Sequence, residues 1–390
     1  MPQLGAEVVR REESRSTREI WAYEATMRKA KCIGASGIVI CMAWTSLSFL
    51  QGAFVARYIN AQAVATRSCD LAVTTPVYIS RAQAEMIIPL IDLVRTNSST
   101  SISCPPGTIR IDDTILPESL THEHRRIPSI VHITSKSRCT ARAFATNVGR
   151  WRLVGHSVFY HDEAAVDRLL GKNWPEFPHL PLATKCLISG AAKADLWRYL
   201  VLWEYGGIYS DIDTAPGSLF NETTILPDDD AWFIPEKNGI LSQYFMSASP
   251  RHPLMYFAIM ESLNRILSVN SVLTQYPPSM TGPRSLKRAL ATFMQKPRES
   301  LDLRRVTRGH YVGTHNRSVT VEGSKEATED WIRRYAVAGL QKREGYAAMG
   351  QTHFDDSVIG MSLETRDYLN VSCVLHLHRM LHTSSPRVSV

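Results

Sequence analysis

The spacing of apolar and polar positions divides the chain into three stretches. Residues Ile33 to Ala56, IGASGIVICMAWTSLSFLQGAFVA, contain no Asp, Glu, Lys or Arg. As a helix they would run about 36 Å, more than the roughly 30 Å hydrocarbon core of a bilayer. Arg28, Lys29 and Lys31 precede the run, and only Arg57 follows closely. The positive-inside rule then leaves the N-terminus in the cytosol and the remainder in the lumen. The expected organisation is a cytoplasmic tail over 1–31 and a retained signal anchor over 32–56. A cleaved signal peptide is the alternative, with Ala63-Val64-Ala65 as a small-residue cleavage site. The run is long for a signal peptide, however, and about thirty residues precede it. A buried core helix is the third reading, and such helices are rarely uncharged for this length.

Residues 57–126 show no sustained periodicity apart from a short helical pattern at Ala82 to Val94. TNSSTSISCPPGT, Thr96 to Thr108, is too polar to bury a core of its own. The region reads as a luminal stem. From Ile127 the pattern changes. IPSIVHITSK has a β-branched run behind a proline and reads as a buried strand. HSVFYHD, His156 to Asp162, is a second strand, and EAAVDRLL follows as a helix with Asp162 at its N-cap. ATKCLISGAAKADLWRYLVLWEYGG reads as one long helix, GIYSDID as a strand and AWFIPE as another. HPLMYFAIMESLNRIL and GPRSLKRALATFM are further helices, the first with Pro253 near its start. Strands alternating with helices predict an α/β domain over 127–390 with a mainly parallel sheet. In such sheets ligands bind at the carboxyl ends of the strands.

One stretch carries candidate chemistry. In KADLWRYLVLWEYGGIYSDID, Leu196, Leu200 and Trp203 follow helical spacing toward a core, with Asp195 and Arg198 on a neighbouring stripe. Gly206-Gly207 ends the helix and permits close approach of the backbone to another group. A strand over Ile208 to Ile212 would aim Asp211 and Asp213 the same way, since residues two apart share a face. Two carboxylates at one spot repel, and a hard divalent cation removes the conflict. Mg²⁺ or Mn²⁺ there keeps positions open for diphosphate oxygens and stabilises charge on a leaving group. The plainer readings are two solvated turn acids and, for Asp195 and Arg198, an i,i+3 surface ion pair.

The whole string is more specific than its parts. It resembles the DXD sugar-binding region of the Och1-like glycosyltransferases, family GT32, whose pattern has the form ADxxRYxxLxxxGGxYxDxD. IPSIVHIT resembles that family's opening strand, and MTGP, Met280 to Pro283, extends the likeness downstream. The resemblance implies a GT-A fold, Rossmann-like with helices flanking the sheet, a nucleotide-sugar donor and Mn²⁺ (or Mg²⁺). By motif position Asp195 and Arg198 contact the donor sugar, Tyr209 the nucleotide, Asp211 ribose and metal, and Asp213 the metal. His132 and Thr134 would hold the nucleotide, Gly207 would let the backbone approach the donor, and Thr281 and Gly282 would touch donor or acceptor. Members are retaining enzymes; no nucleophile is identifiable. The Trp that usually closes the first motif is Ser135, and the late His-plus-Trp signature survives only partly as THFDD, where His353 is a candidate ligand of the metal or diphosphate.

Composition narrows the alternatives. The 390 residues are 44% hydrophobic and 21% charged, with a formal charge of +7, ordinary for a folded protein. No basic block with interleaved aromatics occurs, so a nucleic-acid partner is not expected. No G-x-x-x-x-G-K-[ST] or G-x-S-x-G is present, which leaves P-loop and hydrolase readings without an anchor. Asn97, Asn221, Asn316 and Asn370 head glycosylation tripeptides, all beyond the apolar run. Cys32 and Cys41 fall in that run. Cys69, Cys104, Cys139, Cys186 and Cys373 would be luminal, where disulfides persist, and their pairing is open. HLHRMLH, with His376, His378 and His382, lacks a metal-site spacing, and Trp151, Trp174, Trp197, Trp203, Trp232 and Trp331 read as core or as sugar platforms. The expectation is a Golgi type II membrane enzyme moving a hexose onto a protein-linked glycan. Mannose from GDP-mannose is the favoured donor, as in an α-1,6-mannosyltransferase. Galactosyl or N-acetylglucosaminyl transfer, mannosylation of inositol phosphoceramide, and a non-catalytic glycan-binding role are the alternatives.

Overall fold

The central strands of the sheet each send alternate side chains into two separate apolar layers. In the computed structural model Ile130 and Phe159 join one cluster, while Val131, Ile133, Val158 and Tyr160 join the other. Strand residues two apart share a face, so these short runs need apolar residues at nearly every position. The structure describes residues 82–95, 103–115, 125–153, 155–236, 239–268, 277–297, 303, 309–323, 329–340, 342–350, 370 and 372–377. The apolar run over 32–56, Cys69, Asn97, His353, His378, His382 and the side chain of Trp331 lie outside what is described. Among the described residues no helix is long and apolar enough to cross a membrane.

In chain order the elements begin with α1 (Ala82–Val94), β1 (Thr108–Arg110), β2 (Thr114–Ile115), β3 (Ile130–Thr134) and β4 (Cys139–Ala141). Then come α2 (Arg142–Arg150), β5 (Ser157–His161), α3 (Glu163–Leu170), α4 (Leu180–Lys185) and α5 (Gly190–Tyr205). The middle of the chain adds β6 (Gly207–Asp211), β7 (Ala215–Pro216), β8 (Ala231–Phe233), β9 (Phe245–Ala248) and α6 (Pro253–Leu267). Last are α7 (Pro277–Met280), α8 (Pro283–Met294), β10 (Gly309–Val312), β11 (Ser318–Val321), α9 (Glu329–Arg333), β12 (Ala336–Val337) and α10 (Lys342–Ala348). The large sheet has the order β10-β11-β8-β9-β6-β3-β5-β2.

The sheet is mixed, which corrects the expected mainly parallel arrangement. β5, β3 and β6 run parallel at the centre, and β11 is parallel to β8. β2, β9 and β10 pair antiparallel to their neighbours. Short returns such as the one from β8 to β9 make antiparallel neighbours without a crossover helix. Helices α5, α6 and α8 pack against the first face, and Trp151, Phe220, Trp232 and Phe245 fill the second.

Two further expectations change. Part of the predicted stem belongs to the domain. Ile87, Leu90 and Val94 of α1 enter the first core, β1 pairs with β4 and β2 is an edge strand of the large sheet. The Cys104–Cys139 disulfide fastens this segment across 35 residues. The single long helix expected from Ala183 is two helices. Ser189 stops the first from continuing, because its Oγ accepts a hydrogen bond from the Ala192 amide as the N-cap of α5. Cys186, between them, is bonded to Cys373 near the C-terminus. Elsewhere pattern and structure agree: Asp162 caps α3 through the Ala165 amide at 2.9 Å, and α1 and α3 have the expected bounds. Asn221, Asn316 and Asn370 are exposed.

The Gly206-Gly207 turn explains how α5 feeds β6. Gly206 has φ +64°, and an added Cβ would lie 2.6 Å from Pro250 Cδ. Gly207 has φ +97°, and its Cβ would lie 2.6 Å from the Ile130 carbonyl oxygen. Only glycine fits a backbone turned this way between β3 and Pro250. Gly207→Ala should therefore lower stability by about 2–4 kcal/mol in urea denaturation. Gly149→Ala, at a helical position with nothing within 4 Å, should leave it unchanged or raise it by about 0.5 kcal/mol.

Candidate functional site

α5 and β6 lie on the same side of the Gly-Gly turn, so residues late in β6 meet residues one to two turns back along α5. Arg198 is the result. Its Nη2 lies 3.3 Å from Asp195 Oδ1 and 3.4 Å from Asp211 Oδ1. Its Nη1 donates to the Gln243 carbonyl at 2.9 Å, and its guanidinium sits over the Tyr209 ring, 4.7 Å from the centroid. Tyr209 lies two residues before Asp211 on the same strand face, and its hydroxyl donates to Asp211 Oδ1. Thr281 closes the cluster from the turn before α8, with Oγ1 donating to Asp195 Oδ2 at 3.0 Å. Asp195 and Arg198 are both buried, so the pair is not the surface i,i+3 bridge of the plainer reading.

A second set of hydrogen bonds holds this cluster in place. Tyr199 OH donates to the Thr281 carbonyl at 2.9 Å, and Gln243 Nε2 donates to Tyr199 OH at 2.6 Å. The amides of Thr281 and Gly282 both donate to the Pro277 carbonyl at 2.9 Å. Gly282 is tightly enclosed, since a Cβ there would lie 2.6 Å from Pro278 Cα. Tyr199 lies on α5 among apolar core positions, where nothing in the sequence marks its hydroxyl as a link to Thr281. Gln243 belongs to a loop before β9 and has no periodic signal.

The aspartate pair is arranged differently from the sequence expectation. β6 ends at Asp211, and Ile212 and Asp213 form a turn closed by the Thr214 amide donating to the Asp211 carbonyl at 3.0 Å. The two acids therefore do not share a strand face. Trp151 Nε1 donates to the Thr214 carbonyl at 3.0 Å and pins this turn from the second face. Asp213 is buried, and the charges of both acids reach the Tyr346 phenol, which burial first and then Asp213 and Asp211 push well above the ordinary tyrosine range.

Thr134 is at the carboxyl end of β3, in register with Asp211, whereas His132 and Gly207 lie away from that end of their strands. His132 is fully buried; its Nε2 donates to the Gly206 carbonyl at 2.9 Å, so its Nδ1 accepts from His161 Nε2 at 3.2 Å. Burial, outweighing the Gly206 bond, holds His132 down to about 4, and the ring is neutral. It braces the Gly-Gly turn and does not line the site. Gly207 opens β6 at the far end of the strand, roughly 13 Å along it from Asp211. Its close approach is to the backbone of β3, not to a ligand.

Residues 164–232, which contain α5, β6 and both aspartates, match the family model of the glycosyltransferase sugar-binding region containing DXD motif. The chain carries a DXD glycosyltransferase sugar-binding region. Inositol phosphoceramide mannosyltransferase 1 of Schizosaccharomyces pombe is 24% identical over 210 residues, covering 50% of this chain and 60% of that protein. The chain thus aligns with less than two thirds of that relative's length. Among solved structures, PaToxG Glycosyltransferase is 11% identical, with 60% of this chain and 79% of that one covered at a TM-score of 0.30.

In the DXD region the residues that would hold a cation are Asp211 and Asp213. Among the described residues no three His, Cys, Asp or Glu side chains are grouped to hold a metal. Two hard carboxylates fit Mg²⁺ or Mn²⁺, which take the rest of their shell from water and phosphate oxygens. Asp211 Oδ1 is already engaged by Tyr209 and Arg198.

Asp195 gives the site a measurable signature. Burial raises its carboxyl to about 6, outweighing the Arg198 charge and the Thr281 hydrogen bond. A folded value above the unfolded 3.8 means that the native state holds the proton more tightly. That contribution is fully present below about pH 4 and is lost as pH rises through about 6. Asp195→Asn should be more stable than wild type by about 2–3 kcal/mol at pH 7 and equal to it at pH 4, measured by urea denaturation.

Proposed function

We propose that the chain is a metal-dependent hexosyltransferase of GT-A architecture that uses a nucleotide sugar and retains the anomeric configuration. The observation that carries this reading is Arg198, shared between Asp195 and Asp211 beside the carboxyl ends of the parallel strands and inside the DXD region. Arg198 supplies fixed positive charge where a diphosphate leaving group needs it. Asp195, oriented by Thr281, offers carboxylate oxygens to sugar hydroxyls. Tyr209 holds Asp211 in place. Mn²⁺ or Mg²⁺ bound at Asp211 and Asp213 would act as a Lewis acid on the diphosphate. In the reaction the bond from the sugar's anomeric carbon to the diphosphate oxygen breaks, an acceptor hydroxyl oxygen forms the new bond at that carbon, and the hydroxyl proton passes to the departing diphosphate.

Mannose from GDP-mannose is the proposed donor, supported by the fission-yeast relative's name. The same name favours inositol phosphoceramide as acceptor over the protein-linked glycan expected from the sequence. The proposed setting is the Golgi lumen behind a single N-terminal anchor. Two disulfides among the described cysteines accord with an oxidising compartment.

The full chain, incubated with Mn²⁺, a panel of nucleotide sugars and either inositol phosphoceramide or a mannose-terminated glycan, should release GDP from GDP-mannose. Asp213→Ala should lower that release by at least about 100-fold. Undiminished transfer in this variant, or in excess chelator, would remove the metal role. Glycan binding without nucleotide release would favour the non-catalytic alternative.

A further inference from the structure

The loop between β7 and β8 is anchored at both ends and exposed at its tip. The Gly217 and Leu219 amides donate to the Tyr335 and Arg334 carbonyls at 2.8 and 2.7 Å. Phe220 and Ile225 are buried in the second core, where the Phe220 ring meets Trp151, Phe245 and Trp232 edge-on at 5.5, 5.2 and 5.9 Å. Arg125 Nη2 donates to the Ile225 carbonyl at 2.6 Å. Between these anchors Asn221, Glu222 and Thr223 are exposed. They form one of the glycosylation tripeptides of the sequence, and the functional reading above makes no use of them.

The tip is folded on its own hydrogen bonds. The Thr223 amide and Thr223 Oγ1 donate to Asn221 Oδ1 at 2.9 and 2.7 Å, and the Asn221 amide donates to Thr224 Oγ1 at 2.9 Å. A backbone N–H can only donate, so the side-chain atom of Asn221 that meets it is the oxygen. That leaves Nδ2 on an exposed side chain with no hydrogen-bond partner among the described residues. Aspartate would serve this turn equally well, since only the oxygen is used. What asparagine adds is the amide nitrogen, the atom to which an N-linked glycan is attached. The other described tripeptides are built differently. Ser318, which completes the one at Asn316, is buried at the start of β11, with its amide on Asp230 Oδ2 at 3.3 Å and its carbonyl accepting from His252 Nε2 at 3.0 Å. Asn370 Oδ1 accepts from the Cys373 amide at 3.0 Å, and the Asn370 amide donates to the Cys186 carbonyl, beside the Cys186–Cys373 bond.

We propose that Asn221 is an N-glycosylation site, its Nδ2 receiving an oligosaccharide from a lipid-linked diphosphate donor. In that step the bond from the sugar's anomeric carbon to the diphosphate oxygen breaks, and the electron pair leaves with the diphosphate. Nδ2 forms the new bond to the same carbon and gives up one proton to a base of the transferase. The inference rests on the luminal setting proposed above, where such donors are used. The exposed tip leaves room for the glycan, and the two buried anchors keep the domain's core out of its way.

The test is peptide mass spectrometry of the full chain produced in the secretory pathway of a eukaryotic cell, before and after an N-glycosidase that leaves aspartate at each released position. The peptide that holds Asn221 should carry glycan in most molecules and contain aspartate at 221 after release. Asn221→Asp, which keeps the turn's acceptor oxygen, should lose one glycan's step in gel mobility, and Thr223→Ser, which keeps the hydroxyl, should retain that step. An unmodified Asn221 peptide in a chain that is glycosylated at another tripeptide overturns the proposal. A chain with no glycan on any peptide overturns the luminal setting and this inference with it, a result distinct from one in which Asn221 alone is passed over.

Discussion

One guanidinium held between two carboxylates and out of bulk water is the constraint on which the site depends. Arg198 is buried, and so is Asp195. A buried ion pair is a poor source of stability, because desolvating the charges costs about as much as their attraction returns. Burial raises the Asp195 carboxyl to about 6 despite its cation, while Asp211, Tyr209 and Asp195 hold the proton on Arg198 against its own burial. Packing alone would be better served by apolar residues of similar volume. The arrangement makes sense if the charges are complementary to something that is not part of the chain. Removing Arg198 would leave Asp195 and Asp211 without the cation they share.

The backbone supplies the geometry that the side chains cannot. Gly206-Gly207 turns the end of α5 directly into β6, so helix and strand face each other with no intervening loop. His132 donates to the Gly206 carbonyl from the neighbouring strand, and Ile130 touches Gly207. Arg198 and Asp211 are equidistant enough from this turn to meet. Beyond Asp211 a second turn follows, pinned by Trp151 Nε1 on the Thr214 carbonyl and by the Leu340 amide on the Asp213 carbonyl. The site is therefore set by two turns at opposite ends of a five-residue strand. This accounts for the sugar-binding region being a contiguous string in the sequence.

That contiguity decides what could be read in advance. Asp195, Arg198, Tyr209 and Asp211 stand at fixed intervals through one helix, one turn and one strand, so local periodicity places them together. Thr281 comes from about seventy residues downstream in a loop, and only resemblance to a family pointed to it. His132 was named only through resemblance to a family, and no strand pattern tells that its ring points into the helix-covered face, where Phe159 lies beside it and Trp197 beside His161. Gly207 misled because a close-approach glycine signals a near neighbour without saying whether it is ligand or chain. The mixed sheet was illegible for a related reason. β8, β9 and β11 are three or four residues long and buried throughout, and a short buried run has no direction written in it.

The segments least legible in the sequence are those held by long-range links. β1 and β2 carry little apolar periodicity, and the helical pattern of α1 does not tell what it packs on, yet α1 supplies three side chains to the first core and β2 completes one edge of the sheet. Their place is fixed by β1 pairing with β4, by the Cys104–Cys139 bond, and by Arg138, which reaches Asp113 on one side and Asp162 on the other. The short helix over 372–377 is held in the same way, by Cys373 to Cys186 and by the Asn370 amide to the Cys186 carbonyl. Closing a loop of 187 residues by local packing alone would be entropically expensive, and a covalent bond shifts that cost onto the unfolded chain. Both disulfides join segments that flank the DXD region in sequence to the core that supports it. The DXD string is local, whereas the segments around it are held by links between positions far apart in the chain, Cys104 to Cys139 and Cys186 to Cys373.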